Sequence, residues 1–274
     1  MAEARRRPPG RLLFCGEGEF MAEWLYGRHA VEETLKAGRR KVFRVLLSEG
    51  GKGGRSPADD PIARIQAEAR RQGASLERVP PARLDALTRV GQHHQGVAAE
   101  VSGYPYRTLA EVVALCREAG PKALVLLLDS IQDPQNFGTL LRSAEAGGVT
   151  AVVMLERRQV EVTAAVVNAS AGAVEHLTVC QTNNLPRGIE ALQEAGLWVY
   201  ALQAEIDAVP YTMADLKGPL GLVVGSEGSG VGRLVRERCD GALEIPMRGK
   251  IESLNAAVAG SKVLYEALRQ RTTV

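Results

Sequence analysis

The sequence predicts an α/β protein in which a mainly parallel sheet, covered by helices on both faces, follows a smaller α/β module. Three observations predict it. Strand-like apolar runs alternate with helical patterns through residues 123–271. The first run, Ala123-Leu-Val-Leu-Leu-Leu, is apolar throughout, as a strand buried on both faces is, and such strands belong to parallel sheets sandwiched by helices. The stretch 102–108, Ser-Gly-Tyr-Pro-Tyr-Arg-Thr, has the composition of a turn-rich linker. The chain therefore divides into an irregular extension (1–20), a first module (21–101), the linker (102–108) and a larger domain (109–274).

In the first module, 29–37 reads as a helix stopped by Gly38, and 41–47 as a strand whose apolar positions partly alternate. A glycine-rich loop at 49–57 follows; it lacks the G-x-x-x-x-G-K-[ST] order of a phosphate loop. Pro61 opens a helix to Arg71, because a first-turn residue has no intrahelical N–H bond to lose. A strand at 75–79, a short helix at 81–89 and a strand at 96–101 close the module. In the larger domain, strands are expected at 123–129, 150–155, 176–180, 197–202, 220–225 and 243–247. Helices lie between them, among them 185–195 and 231–238. A last helix from Ser253 to Arg271 spaces Leu254, Val258, Ser261, Leu264, Tyr265 and Leu268 by about a turn, which predicts one face packed on the sheet.

Composition narrows the class. No apolar run approaches the ~20 residues of a membrane-spanning helix, and Leu12-Leu-Phe-Cys is too short for a secretory segment. A cytoplasmic protein without a membrane partner is expected. Cys15, Cys116, Cys180 and Cys239 form no C-x-x-C pair and no zinc spacing; they read as plain thiols, and no metal site is expected. Charge is uneven. Residues 1–100 carry 18 Lys and Arg against 13 Asp and Glu, whereas the remaining 174 carry 16 against 19. A basic first part suits a polyanion, although a solvated arginine-rich surface fits it equally.

Ligands of open α/β sheets sit beyond the carboxyl ends of strands, and three such ends are unusual here. The first is 129–142, Asp-Ser-Ile-Gln-Asp-Pro-Gln-Asn-Phe-Gly-Thr-Leu-Leu-Arg, where a buried strand passes into polar residues and then a helix carrying Arg142. A guanidinium there suits a phosphate; a helix cap at Asn136 and a surface arginine account for the same residues. The second is 222–232, Leu-Val-Val-Gly-Ser-Glu-Gly-Ser-Gly-Val-Gly, whose glycines let backbone approach a ligand. Gly228, Gly230 and Gly232 are spaced by two and make no dinucleotide fingerprint, so a nicotinamide enzyme is disfavoured and a tight turn with a solvated Glu227 stays open. The third is 245–255, Ile-Pro-Met-Arg-Gly-Lys-Ile-Glu-Ser-Leu-Asn, which ends a strand at Pro246 and enters a helix at Ser253, an N-cap residue by type. Each segment alone is weak. Their coincidence is not.

Together these segments resemble the three motifs of the SpoU/TrmH (SPOUT) family of RNA ribose 2′-O-methyltransferases. The motifs are Asp133-Pro-Gln-Asn-Phe-Gly with Arg142, Gly-Ser-Glu-Gly-Ser-Gly at 225–230, and Ile245-Pro-Met followed by Ser253-Leu-Asn. Ser170-Ala-Gly-Ala-Val-Glu is similar to a further family segment. In the first module, Tyr26-Gly-Arg-His-Ala-Val-Glu-Glu-Thr-Leu and His94-Gln-Gly-Val-Ala-Ala resemble the ribosomal-protein-like RNA-binding domain of the subgroup that methylates guanosine in 23S rRNA.

The resemblance implies a deep trefoil knot in the larger domain, S-adenosylmethionine as methyl donor, and a homodimer with its site near the interface. It implies that Gly225, Ile245, Met247 and Leu254 hold the donor. Arg142 would bind the phosphate beside the target and stabilise alkoxide charge, since arginine is hard to deprotonate. Asn136 would position the ribose or Arg142, while Glu227, Ser253 and Asn255 would order the knot and the nucleophile. The first module would dock RNA through Arg28, His29, Arg39, Arg40 and Lys41; packing or capping roles stay open for His29 and His94. The substrate expected is a guanosine of 23S rRNA. Transfer RNA, another ribosomal nucleotide, and a non-catalytic RNA-binding assembly factor are the alternatives.

Overall fold

The computed structural model describes residues 22–50, 60–88, 93–157, 159–205, 207–251 and 253–272. The expected extension at 1–20, most of the loop at 49–57 and Arg89 lie outside the described residues, and the helix expected at 81–89 ends at Asp85.

The first module runs β1 (Glu23–Tyr26), α1 (Arg28–Ala37), β2 (Val42–Ser48), α2 (Pro61–Arg71), β3 (Ser75–Val79), α3 (Pro81–Asp85) and β4 (Val97–Val101). Its sheet has the order β1-β4-β2-β3, with β4 antiparallel to both neighbours. Helix α2 starts where expected, because Asp60 accepts from the Ile62 N–H at 3.0 Å and Pro61 fills the first turn. Strand β1 has only four residues, too few to show a period.

The larger domain runs α4 (Leu109–Ala119), β5 (Leu124–Asp129), α5 (Pro134–Ala146), β6 (Ala151–Leu155), α6 (Ala164–Ala169), β7 (Val179–Thr182), α7 (Leu185–Glu194) and β8 (Trp198–Leu202). It continues with β9 (Val209–Pro210), β10 (Leu220–Gly225), α8 (Arg233–Arg236), β11 (Gly241–Glu244) and α9 (Ala256–Thr272). Seven strands in the order β7-β6-β5-β10-β8-β11-β9 pair in parallel throughout. All of β5 and β10 is buried. Leu124, Leu126 and Leu128 enter one core with residues of α5, α6 and α9, while Val125 and Leu127 enter the opposite core with residues of α4 and α7. That two-sided burial is why these strands are uninterrupted apolar runs.

Several boundaries differ from expectation. The strand expected at 176–180 is β7, Val179–Thr182, because Gly172 at φ +85° leads into a 3-10 turn at Ala173–His176. The strand expected at 243–247 is β11, which ends before Pro246, a residue with no N–H to give a ladder. The last helix begins at Ala256, not Ser253. Two of its expected core residues, Val258 and Tyr265, are exposed, while Leu264 is buried as expected, together with Ala256, Gly260, Val263 and Ala267. A Cβ on Gly260 would lie 2.8 Å from Leu140 and 3.0 Å from Val224, so the small-residue face is the one that fits.

This topology lines up three strand ends. Gly225 pairs in register with Asp129 of β5. Val224 lies beside Leu202 of β8, and Leu202 beside Leu243 of β11. The chain leaving β11, on the far side of β8, returns to form α9, which packs on α5 and β10. Among the described residues, no helix is long and apolar enough to cross a membrane.

Candidate active site

The site is built on the loops after β5, β10 and β11. Asp133 caps α5, accepting from the Asn136 N–H at 2.9 Å, with Pro134 in the first turn. Asp133 is therefore the cap that could have been assigned to Asn136. The Asn136 side chain is free to reach outward. Its Nδ2 donates to Glu227 at 3.1 Å, and its Oδ1 accepts from Asn255 Nδ2 at 2.7 Å. Asn255 Nδ2 also donates to Glu227. One residue from each motif thus closes a three-membered polar cluster.

Asn255 has a second duty. Its Oδ1 accepts from the Ala257 and Val258 N–H groups at 3.0 and 3.2 Å, which makes it the N-cap of α9 in place of Ser253. The side chain has one acceptor and one donor group, and each is used on a different element.

The loop after β10 is a tight return. Ser226 and Gly230 exchange backbone hydrogen bonds at 3.1 and 2.9 Å, and the Ser226 and Ser229 hydroxyls meet at 2.6 Å. A Cβ on Gly225 would lie 2.1 Å from the Gly230 carbonyl atoms and 2.4 Å from the Val231 nitrogen. Only glycine fits there. Gly138 is similarly confined: a Cβ would lie 2.4 Å from Ala169 Cβ, so α5 meets α6 at close range.

Two supporting residues escaped sequence reasoning. Buried Asp129, at the end of β5, accepts from the Gly232 N–H at 2.7 Å. Gln203 accepts from the Val231 N–H at 3.0 Å and donates its own N–H to Leu243 at 2.9 Å. An Asp ending an apolar strand is a legible signal; Gln203 has none, because its partners are set by the order of strands.

A cavity of about 500 Å³ opens beside the cluster, lined among others by Ser130, Asp133, Asn136, Glu227 and Ser229. Ser130 holds a left-handed backbone at φ +65° where β5 turns into this wall. Arg142, two turns along α5 from Asn136, is exposed and makes no hydrogen bond or ion pair among the described residues. Ser253 and Met247 are exposed, and Ile245 and Leu254 are half-buried on the chain between β11 and α9. The structure thus joins Asn136, Glu227 and Asn255, and leaves Arg142 and Ser253 outside that cluster.

The expected RNA-docking residues separate. Arg28, His29 and Lys41 are exposed. Arg40 is not available to RNA: its side chain is fully buried, paired with Glu175 at 3.0 Å and Glu23 at 2.9 Å. Arg39 is half-buried and donates to the Leu177 carbonyl. Both guanidinium groups lie over Tyr104, a residue of the expected linker whose hydroxyl donates to the Val174 and Leu177 carbonyls. Burial pushes the Tyr104 hydroxyl and the Glu175 carboxyl above their ordinary ranges, against the pull of the arginines. His94 takes the capping role, accepting from the Gly96 N–H at 2.9 Å and meeting Asp85 at 3.1 Å.

Residues 123–265 match the SpoU rRNA Methylase family, and residues 24–107 match the RNA 2′-O ribose methyltransferase substrate binding domain. The chain belongs to the SpoU rRNA methylase family, and with its substrate-binding domain it is an RNA 2′-O-ribose methyltransferase. It is 42% identical over 250 residues to the 23S rRNA (guanosine-2′-O-)-methyltransferase RlmB of Xanthomonas campestris pv. campestris, covering 91% of this chain and 97% of that protein. A crystal structure of an RNA 2′-O ribose methyltransferase superposes with a TM-score of 0.71 at 26% identity, covering 91% of this chain and 89% of the other. The AdoMet-bound rRNA methyltransferase from Sinorhizobium meliloti shares the fold, with a TM-score of 0.73 at 23% identity over 90% of this chain and 87% of that one.

Proposed function

We propose that this enzyme methylates the ribose 2′-hydroxyl of a guanosine in 23S rRNA, in the cytoplasm and as a homodimer. The observation that carries the reading is the Asn136–Glu227–Asn255 cluster at the carboxyl edge of a parallel sheet, beside an open cavity. The RlmB relative and the matched substrate-binding domain support the choice of substrate. The homodimer has support in α9, where Val258 and Tyr265 are about half exposed and lie two turns apart on one face.

S-adenosylmethionine is the donor in this reading, and the residues present fit it. Gly225 has no room for a Cβ because the Gly230 and Val231 backbone closes over it, so the loop is held tight with its backbone groups at the end of β10. The aligned ends of β10, β8 and β11 bring Ile245 to the same edge of the sheet. Gly225, Ile245, Met247 and Leu254 would hold the donor, mostly through backbone groups. When bound, it supplies a methyl group on a positively charged sulfur, already activated for displacement. The trefoil knot belongs to this proposal too, and it is supported by β10 lying between β5 and β8 and by the return of the chain after β11 to α9, which packs on β10 and α5.

The protein's own work is then positioning and charge. Asn136 and Asn255 fix the Glu227 carboxylate, whose acceptor oxygens order the polar wall of the cavity. Arg142, unpaired among the described residues, is the cation that would meet the phosphate next to the target ribose and steady negative charge on its 2′-oxygen. Ser253 borders the same segment as Asn255 and would help hold it. Holding reactants in line supplies several kcal/mol of barrier reduction.

The test is incubation of the protein with labelled S-adenosylmethionine and either 23S rRNA or transfer RNA, followed by mapping of ribose methylation. Label at one guanosine of 23S rRNA is the expected result. Transfer RNA labelled instead, or no RNA labelled at all, overturns the substrate assignment or the activity respectively.

A further inference from the structure

The geometry points to the Arg40–Glu175 pair as a positioning joint that fixes the RNA-binding module against the methyl-transfer domain and so selects which nucleotide is reached. This rests on the RNA methyltransferase reading above.

The joint is tight from several directions. Arg40 and Glu175 are both fully buried, one from each module, at 3.0 Å. Arg40 also pairs with Glu23 at 2.9 Å and lies 4.9 Å from the centre of the Tyr104 ring. Tyr104, in the connecting stretch, fastens the same turn through the Val174 and Leu177 carbonyls at 2.9 and 2.7 Å. At the rim, His176 meets Glu33 at 2.9 Å.

Two glycines with positive φ mark where the modules touch. A Cβ on Gly172 would lie 2.5 Å from Glu33 Cβ, and one on Gly27 would lie 2.8 Å from Asn168 Oδ1. The apolar core is continuous across the joint, from Leu25 and Val31 of the first module to Val166 and Val174. A flexible tether would need none of this.

The same segment, 164–177, also presses on α5: a Cβ on Gly138 would lie 2.8 Å from the Ser170 nitrogen. One face of the segment meets the RNA-binding module, and another meets the helix that carries Asn136 and Arg142. The distance from docked RNA to the transfer site is therefore set through this segment. A buried ion pair suits such a duty, because its geometry is specific and opening it strands a charge.

The experiment compares Arg40→Gln and Glu175→Gln with the unaltered full chain on two RNAs: full-length 23S rRNA, and a short stem–loop around the nucleotide that the unaltered enzyme methylates. The expected result is a rise in KM for the long RNA of at least ~10-fold, because misplacement far from the chemistry weakens productive docking. The kcat, the calorimetric Kd for S-adenosylmethionine, and kcat/KM on the stem–loop should stay within about two-fold. Unchanged KM on the long RNA, or equal losses on both RNAs, overturns the proposal.

Gly172→Ala drives a wedge into the joint without removing either charge, and should raise KM in the same way. Should these variants fail to fold, small-angle scattering of the unaltered chain still decides. One compact profile is expected with or without RNA, and a profile that needs a spread of module orientations overturns the joint. Absence of transfer to any RNA by the unaltered enzyme would instead sink the functional reading, while scattering continues to report on the joint.

Discussion

Asn255 Nδ2 donates to Asn136 Oδ1 at 2.7 Å across 119 residues of chain, while the Asn255 carbonyl oxygen caps α9. One side chain therefore ties the start of the last helix to the start of α5. The two duties can be separated. Asn255→Ala should cost about 1 kcal/mol through the lost cap, whereas Asn255→Ser keeps a capping oxygen and should retain most of that stability. Both lose the amide that reaches Asn136 and Glu227, so both should lower methyl transfer by ~100-fold. Urea denaturation and single-turnover assays check this; a fully active Ser variant would contradict the positioning role.

Gly225 and Gly228 lie three residues apart in the same loop and should respond oppositely. A Cβ at 225 would strike the Gly230 carbonyl group at 2.1 Å, whereas one at 228 meets nothing within 4 Å. Gly225→Ala should abolish calorimetric binding of S-adenosylmethionine. Gly228→Ala should bind normally.

Arg142 is exposed and outside the polar cluster, so its removal disturbs no bond among the described residues. Arg142→Ala should abolish transfer while leaving donor affinity and melting temperature nearly intact. Equal loss of transfer and of donor binding would count against its placement at the RNA side.

Lys41 is exposed and Arg40 is buried one position away. If Lys41 contacts one phosphate, Lys41→Gln should lower the slope of log affinity against log salt by about 1. Filter binding of RNA at several salt concentrations reads that slope; an unchanged slope removes Lys41 from the docking surface.

Acid should weaken the first module. The Arg64 hydrogen bond, assisted by Lys36 against the cost of burial, holds Glu32 below its ordinary value of 4.5. A depressed carboxyl contributes stability above its unfolded pKa and loses it as pH falls through the folded value. Glu175 has the opposite sign: burial raises it, so its contribution is present at low pH and fades as pH rises through that raised value. Denaturation between pH 6 and pH 3 should show a shallower acid loss in Glu32→Gln than in the unaltered protein; a parallel curve would refute the assignment.

Much of the site was legible because its parts are local. A strand end followed by Pro134, a glycine-only turn at Gly225 and an N-cap near Ser253 all show in short stretches of chain. The placement of the cap two residues later, at Asn255, was not legible, since Ser253 and Asn255 are both good caps and only packing of α9 chooses between them. The exposure of Val258 and Tyr265 has the same cause: large apolar residues suggest burial, but the space beside Leu140 and Val224 admits only Gly260. Arg40 misled for a related reason, because a run of Arg39, Arg40 and Lys41 reads as a solvated basic patch until its carboxylate partner, 135 residues away, is known.

The sequence by itself determined the parallel α/β class and the presence of three polar segments after its strands. Each follows from residue type and short-range spacing, which act through backbone preference and burial. The tertiary structure alone decided that Asn136, Glu227 and Asn255 meet, that Asp129 and Gln203 support them, and that Arg40 joins the modules. Those contacts depend on β10 lying between β5 and β8, and strand order is fixed by packing across the whole sheet, not by any stretch of neighbouring residues.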